Sequence, residues 1–387
     1  MIPFGKPLSD IEEGDLQSLI ESSVQENDRV EFKRDMYGRT DEQVREMLRD
    51  IAAMANHRGG DIYIGVDEDD DGVAARLTGV GGTGHAERIR SSCLSNIAPR
   101  LGGLQVEDVP LQSGAYVIVV RVPRSLSSPH MITHRGLNQF WKRHGRQKDK
   151  MSVEEIGASF LAGFEGRSQI ERFLAQRRRR LARTVGSEHT WTFLTATPVY
   201  LQEECVDTAE ERLKIVMGSA HRRDDRSYYV NCGWPSPTLW GLRAEQRLDG
   251  EVETYLEVHT TGHVEFASCY PVEQNVDRPS LAAGVVLDFV DSFVRSCVAV
   301  YDCAALYSPC AFGLTILNSS ALWLEAGAAS DLRARRWTES VLTTPLVYAE
   351  DLRGERQAVL KRMNDKLWNA FGYERCLFLD AQGNILE

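Results

Sequence analysis

The chain is 387 residues long, 42% hydrophobic and 26% charged, and its 45 Lys+Arg against 56 Asp+Glu leave a formal net charge of −11. This length predicts two to three domains with enough apolar chain for a packed core, and the ordinary composition excludes wholesale disorder, collagen-like repeats and coiled coil. The acidic balance, taken alone, argues against a protein that coats nucleic acid through bulk electrostatics.

Ile11, Leu16, Leu19 and Ile20 predict a short helix over 8–23, followed by a strand at 29–33. The clearest helix is 40–55, where Thr40 and Gln43 suit a capping box and Val44, Met47, Leu48, Ile51 and Ala55 form one apolar stripe. Gly59 and Gly60 permit a tight return into a strand at 61–66, which an acidic turn at 67–72 interrupts. A helix over 85–97 stopped by Pro99, strands at 104–110, 115–122 and 139–143, and a helix over 152–164 complete a first domain, 1–165. The run 115–122 is nearly all apolar and is expected inside a sheet. Residues 166–187 read as an Arg-rich linker helix, with Ile170, Phe173, Leu174 and Leu181 at helical spacing. A second domain, 188–387, is expected to hold strands at 191–200, 228–231, 254–259, 263–268, 313–317 and 376–380, a hairpin turn at Thr260-Thr261-Gly262, and helices at 280–303 and 350–371. The fold class is α/β in the broad sense, mixed α+β in both domains.

The eight cysteines form no C-x-x-C pair and have no histidine at finger spacing, so zinc is not expected and the thiols read as reduced. Without a signal-like start or an 18-residue apolar run, the chain is expected to be cytoplasmic, with no membrane partner.

Partitioned along the chain, the charge changes meaning. Arg121 to Arg183 holds 15 Lys/Arg and five acids, a local +10, leaving 30 basic against 51 acidic residues elsewhere, −21. A polyanion meets the local potential within a Debye length, so this segment can hold phosphates in an acidic protein. It interleaves Arg124, Arg135, Lys142, Arg143, Arg146 and Lys148 with Phe140 and Trp141 before the run Arg177–Arg180. The competing readings are a wet helix face for Arg177–Arg180 and a strand with one ring turned to the core for Phe140-Trp141.

The densest chemical signal is Glu26-Asn27-Asp28-Arg29-Val30-Glu31-Phe32-Lys33, two carboxylates five residues apart with a lysine two beyond the second. In a strand Glu31 and Lys33 share one face while Phe32 takes the other. The strand 61–66 delivers Asp67, Glu68, Asp69, Asp70 and Asp71 to its end. Three carboxylates at neighbouring strand ends beside a lysine suit phosphodiester cleavage with Mg²⁺ or Mn²⁺, the ion activating water and the lysine offsetting charge. The same residues also fit a solvated turn and an exposed ion pair. Asn56 reads as a helix cap and His57 as a non-catalytic residue, whereas His130 suits either phosphate contact or a tie to backbone carbonyls. The glycine-rich Gly79–Gly84 lacks the lysine of a P-loop, which argues against an ATPase.

Four strings in this order carry a resemblance: Val30-Glu31-Phe32-Lys33; Ile51 to Asp67, which reads IAAMANHRGGDIYIGVD; Pro123-Arg124-Ser125 with Ser128-Pro129-His130; and Trp141-Lys142-Arg143-His144-Gly145 before Met151-Ser152. Over about residues 8–165 the chain resembles the Schlafen-type AlbA domain, while 188–387 carry no such resemblance. The family includes metal-dependent endoribonucleases that cut transfer RNA, and the resemblance places Glu26 and Glu31 on their two glutamates and Lys33 on their lysine. Asp67, with Glu68 or Asp69 as substitutes, falls on the third acid, so Mg²⁺ or Mn²⁺ at Glu26, Glu31 and Asp67 is implied. Structured RNA, transfer RNA above all, would be held by Arg124, His130, Lys142, Arg143, Arg146, Lys148, Arg177 and Arg178. A single lobe in place of the family's two implies a homodimer or higher homo-oligomer gripping an RNA stem. Residues 188–387 would then be a sensor or regulatory domain answering a protein trigger, in bacterial phage defence or stress. The other reading is a non-catalytic nucleic-acid-binding protein such as a transcriptional regulator.

Overall fold

The structure is a computed structural model and describes residues 7–125, 127–185, 189–200, 205–221, 228–270, 272–273, 279–304, 306, 309–326 and 335–386. The chain divides between Arg167 and Ser168 into two compact units. The mixed α+β class is seen in each.

In the first unit the predicted opening helix is split into a 3-10 turn at Leu8–Asp10 and α1 at Glu13–Glu21. The break has a local cause: Glu12 caps α1, and the Asp15 carboxylate accepts the Glu12 N–H at 2.7 Å, fixing a fresh helix start. There follow β1 (Val30–Lys33), α2 (Asp41–Ala55), β2 (Gly60–Ile64), β3 (Val66–Glu68), β4 (Ala74–Leu77), α3 (His85–Asn96), β5 (Ile97–Ala98), β6 (Gln105–Pro110), β7 (Tyr116–Val122), β8 (Met131–Ile132), β9 (Gln139–His144) and β10 (Gln147–Lys150). Thr40 and Gln43 cap α2 reciprocally, as their spacing predicts.

One sheet has the order β1-β2-β7-β6, with β1 parallel to β2 and the other pairs antiparallel. Strand periodicity sorts its two faces. Ile62, Ile64, Ile118, Val120 and Val122 pack with Met47, Leu48 and Ile51 of α2, while Val30, Phe32, Tyr63, Val117 and Val119 pack with Leu16 and Leu19 of α1. A second sheet, β10-β9-β8-β5, contributes Ile132 to the α2 side, where Trp141 is also packed. Gly60 cannot carry a side chain, because a Cβ there would stand 2.2 Å from the Arg29 carbonyl oxygen where the chain enters β2.

The two helices expected at 152–164 and 166–187 are, as far as Thr184, one 32-residue helix, α4 (Val153–Thr184). Its interior contains glycines but no proline, and only the latter removes a helical hydrogen bond. From Ser168 onward α4 belongs to the second unit, where it buries Ile170, Leu174 and Leu181. The Arg-rich segment is thus packed helix instead of free linker. Residues 186–188, at the expected start of the second domain, lie outside the described residues.

The second unit continues with β11 (Trp191–Pro198), α5 (Glu211–Gly218), β12 (Ser236–Pro237), β13 (Gly241–Leu248), β14 (Glu251–His259), β15 (Val264–Ser268), β16 (Val272–Glu273), β17 (Ser280–Ala282), α6 (Ala283–Cys303), β18 (Cys310–Leu317), β19 (Trp323–Glu325), β20 (Val341–Thr343), β21 (Val347–Ala349) and α7 (Leu352–Ala370). Its large sheet runs β12-β13-β14-β15-β11-β18-β20, with β21 also on β18. One face packs on α5, α6 and α7, and the other buries Trp191, Phe193, Tyr255 and Leu317 with Leu181 of α4. The predicted strand at 228–231 is irregular, and 376–380 contributes only the bridge Leu379 to Ile385. The unpredicted β13 is half exposed and largely polar, so it lacks the alternation that flags a strand. The eight cysteines are free thiols. Among the described residues, no helix is long and apolar enough to cross a membrane.

Candidate active site

Strand β1 sends Phe32 to the α1 side, where its ring centroid lies 5.8 Å from that of Tyr63. Glu31 and Lys33 therefore project together toward α2, with Lys33 Nζ 2.5 Å from Glu31 Oε1. The other Glu31 oxygen accepts from Arg143 of β9, whose remaining nitrogens donate to the carbonyls of Asn27 at 2.9 Å and Gly145 at 3.3 Å. Arg143 is fully enclosed. Burial works to raise the Glu31 carboxyl, but Lys33 and Arg143 outweigh it and hold it below the usual carboxylate range.

Asp50 of α2 is a member of this cluster with no sequence signal beyond being an acid on a helix. It is completely buried, paired with Lys148 of β10 and accepting from Tyr37 Oη at 2.5 Å. Burial and Glu31 push its carboxyl up. Burial alone would lower the Lys33 ammonium, yet Asp50 and Glu31 together raise it and keep it charged.

Glu26 is held differently. One oxygen accepts the Phe32 N–H at 2.8 Å, and the other faces Arg146 Nε at 3.3 Å. Arg146 also reaches Glu68, Nη2 to Oε2 at 4.0 Å. Arg146 thus bridges the two acids, and burial and the Glu26 carboxylate raise the Glu68 carboxyl. Asp67, one residue earlier in β3, is turned the other way and binds Arg76 Nη2 across the β3–β4 hairpin at 2.9 Å. Asp69 closes its own turn, its carboxylate accepting from the N–H groups of Asp71 and Val73. Of the three acids considered for the third position, Glu68 is the one that shares Arg146 with Glu26. Strand alternation could have separated 67 from 68, but only the register of β3 says which one turns inward.

The expected trio Glu26, Glu31 and Asp67 is not drawn into one set of ligand atoms: among the described residues, the group meeting at 4.8 Å lies elsewhere. The donors that suit a hard divalent ion are Glu26 and Glu68, whose like charges are offset by an arginine with 44% of its side chain exposed. Glu31 has both oxygens engaged by internal cations.

The basic residues expected to meet RNA fall into two groups. His130 is buried, with Nδ1 2.7 Å from the Pro99 carbonyl, and burial lowers its pKa. It ties its loop to the backbone, and a side chain without surface has nothing to offer a phosphate. Arg143 and Lys148 neutralise Glu31 and Asp50. Arg177 and Arg178 lie in the second unit, where Arg177 pairs with buried Glu265 and Arg178 donates to Thr343 Oγ1 at 3.3 Å. Lys142 and Arg124 are half-buried, and Arg146 is exposed. Asn56 caps α2 as expected but in the right-handed region, and it does more than cap. Its amide nitrogen donates to the carbonyls of His130 and Trp141, both at 2.9 Å, and its oxygen accepts the His130 N–H at 2.6 Å. His57 faces Asp28 at 3.2 Å, with burial holding its pKa below the usual value despite that partner.

Comparison with known proteins bears on the first unit. Residues 26–152 match the family described as Schlafen, AlbA_2. Among solved structures, a crystal structure of a Corynebacterium diphtheriae protein is 16% identical with a TM-score of 0.24, over 35% of this chain and 25% of that one. The solution structure of the N-terminal domain of an ATP-dependent DNA helicase RecG-related protein from Nitrosomonas europaea is 23% identical with a TM-score of 0.26, over 37% of this chain and 94% of that domain. The chain thus spans a quarter of the length of the first of these structures. No curated protein matches it. Through residues 26–152, the chain carries a domain of the Schlafen AlbA_2 family.

Proposed function

We propose that this domain is a metal-dependent endoribonuclease acting on structured RNA, transfer RNA foremost, with Glu26, Glu31 and Glu68 as its acids and Lys33 beside the reacting phosphate. The observation that carries the reading is the sharing of Arg146 by Glu26 and Glu68, two carboxylates on one exposed cation, in the same unit as the Glu31–Lys33 pair. Mg²⁺ or Mn²⁺ bound by Glu26 and Glu68 supplies activation of water and neutralisation of charge on the leaving oxygen. Glu26 is oriented by the Phe32 N–H. Glu31 and Asp50 keep Lys33 protonated, so that it presents a fixed positive charge to a phosphate. Arg146 screens the two acids and, being exposed, is free to move to an RNA backbone. Arg124 and Lys142 extend that contact; a second copy of the chain would supply the opposite side of a stem. Residues 188–387 would regulate the cut.

A binding-only domain is the second reading, favoured by one count. Glu26, Glu31, Asp50 and Glu68 are matched by Lys33, Arg143, Arg146 and Lys148, so the cluster has no charge deficit to fill. Incubation of the full-length protein with a transfer RNA pool and Mn²⁺ or Mg²⁺ separates the two. Glu68→Gln should abolish cleavage while RNA binding persists, and Asp67→Asn should cut as wild type does. Absence of cleavage by wild type with either metal would sink the nuclease reading.

A further inference from the structure

The β14–β15 hairpin carries a nearly mirror-symmetric string, Glu257-Val258-His259-Thr260-Thr261-Gly262-His263-Val264-Glu265. Folding at Gly262, with φ at +80°, sets Glu257 directly opposite Glu265 and Val258 opposite Val264. The His259 N–H donates to the His263 carbonyl at 2.8 Å, which pairs the two histidines as well. The valines join the apolar core. Alternation then sends both glutamates and both histidines to the opposite face of the sheet.

All four residues are 0–4% exposed. Carboxylates directly opposite one another repel, and burial makes that arrangement costlier. His259 Nε2 is buried without a hydrogen-bond partner among the described residues and lies 3.8 Å from Glu257 Oε1. His263 Nε2 is 3.1 Å from Glu265 Oε2, while its Nδ1 is 2.8 Å from Thr197 Oγ1. One ligand atom each from His259, His263 and Glu265 fits within 4.8 Å.

We propose that His259, His263 and Glu265 bind a first-row divalent transition-metal ion, with Glu257 completing the donor set. Two imidazoles and two carboxylates on one sheet face are nitrogen and oxygen donors suited to Zn²⁺ and its neighbours. Arg177 already contacts this pair, its Nε donating to Glu265 Oε2 at 2.9 Å and its Nη2 standing 3.5 Å from Glu257. An ionised carboxylate accepts at about four lone-pair positions. On Glu265, Arg177 occupies one position of each oxygen and Tyr255 Oη a second on Oε1 at 3.2 Å, so the position open to an ion is the one on Oε2 that faces His263. Arg177 and Tyr255 then serve as outer partners that orient a ligating carboxylate, as Thr197 does for the far nitrogen of His263. A cavity of about 810 Å³, lined by Arg177, Arg180, Trp240, Arg243, Glu257 and Glu265 among others, gives an ion access to the glutamates. Zinc was not expected from cysteine spacing, since this constellation uses none.

The test uses the full-length chain with Glu26→Gln and Glu68→Gln, so that the acids of the first unit cannot supply the signal. Dialysis against Co²⁺ should load about one ion per chain with the visible absorption of an imidazole-ligated ion, and Zn²⁺ should displace it. Adding His259→Ala and His263→Ala should remove that ion and its spectrum while circular dichroism stays unchanged. If this variant does not fold, Glu257→Gln, which keeps both histidines, should weaken Co²⁺ binding by about tenfold or more. Failure of the parent chain to take up Co²⁺ or Zn²⁺ at micromolar free ion, or undiminished binding in the variants, would overturn the proposal and mean that Arg177 and Arg243 neutralise the glutamates.

Discussion

Arg143→Met tests whether the charge at the centre of the first unit holds the fold or meets a ligand. Arg143 has 0% of its side chain exposed and Glu31 5%, so solvent screens their pairing little. The substitution removes the ion pair and the hydrogen bonds to the carbonyls of Asn27 and Gly145. Breaking a buried pair from one side costs about 3–5 kcal/mol. Lys33 still faces Glu31 at 2.5 Å, which places the expected loss near the lower end, about 3 kcal/mol. Hydrogen exchange on the full-length protein should then show β1 amides exchanging roughly two orders of magnitude faster if they open through unfolding of this unit. Glu31→Leu combined with Arg143→Met should recover a large part of the loss, because no buried carboxylate is left stranded. Protection within about threefold of wild type, together with weakened RNA binding, would refute the reasoning and return Arg143 to the ligand-contacting set.

Asn56→Ala removes a clamp of three hydrogen bonds to backbone groups and should cost about 2–3 kcal/mol, read as a fall in the thermal midpoint; a fall too small to measure would show that the loops stand without it. Thr40→Ala deletes the α2 cap and should cost about 1 kcal/mol by urea unfolding, with Thr40→Ser restoring most of it. The Glu31 carboxyl is held below its unfolded value, so the stability it contributes is complete above about pH 4.5 and disappears as pH falls through the lowered folded value. Glu31→Gln should accordingly flatten the acid limb of the stability–pH curve, and identical limbs for the two proteins would contradict this. Arg121→Met strands Asp61, which is 0% exposed, and should destabilise the β2–β7 pairing by about 3 kcal/mol or more in the same exchange experiment.

Much of the first unit was legible because its signals are local. The stripe from Val44 to Ala55 with its capping box marks α2, and the run at 116–122, apolar but for Arg121, places β7 between two other strands. Glu31, Phe32 and Lys33 could be sorted to faces by strand period alone. The second unit was less legible where strands are half exposed, as β13 is, or where a helix begins after a short strand, as α6 does after β17.

Charge marks the division most clearly. That an acidic chain carries a +10 segment and a run of acids follows from residue identity alone. Which charges remain available was decided by tertiary contacts. Arg121, Arg143, Lys148 and Arg177 are drawn to Asp61, Glu31, Asp50 and Glu265, partners 60, 112, 98 and 88 residues away. Register in β3 turned Glu68 toward Glu26 and Asp67 toward Arg76, and hairpin pairing stacked two histidines beside two glutamates. A desolvated charge must find an opposite charge or a set of hydrogen bonds, and only the folded chain fixes which distant residue meets it.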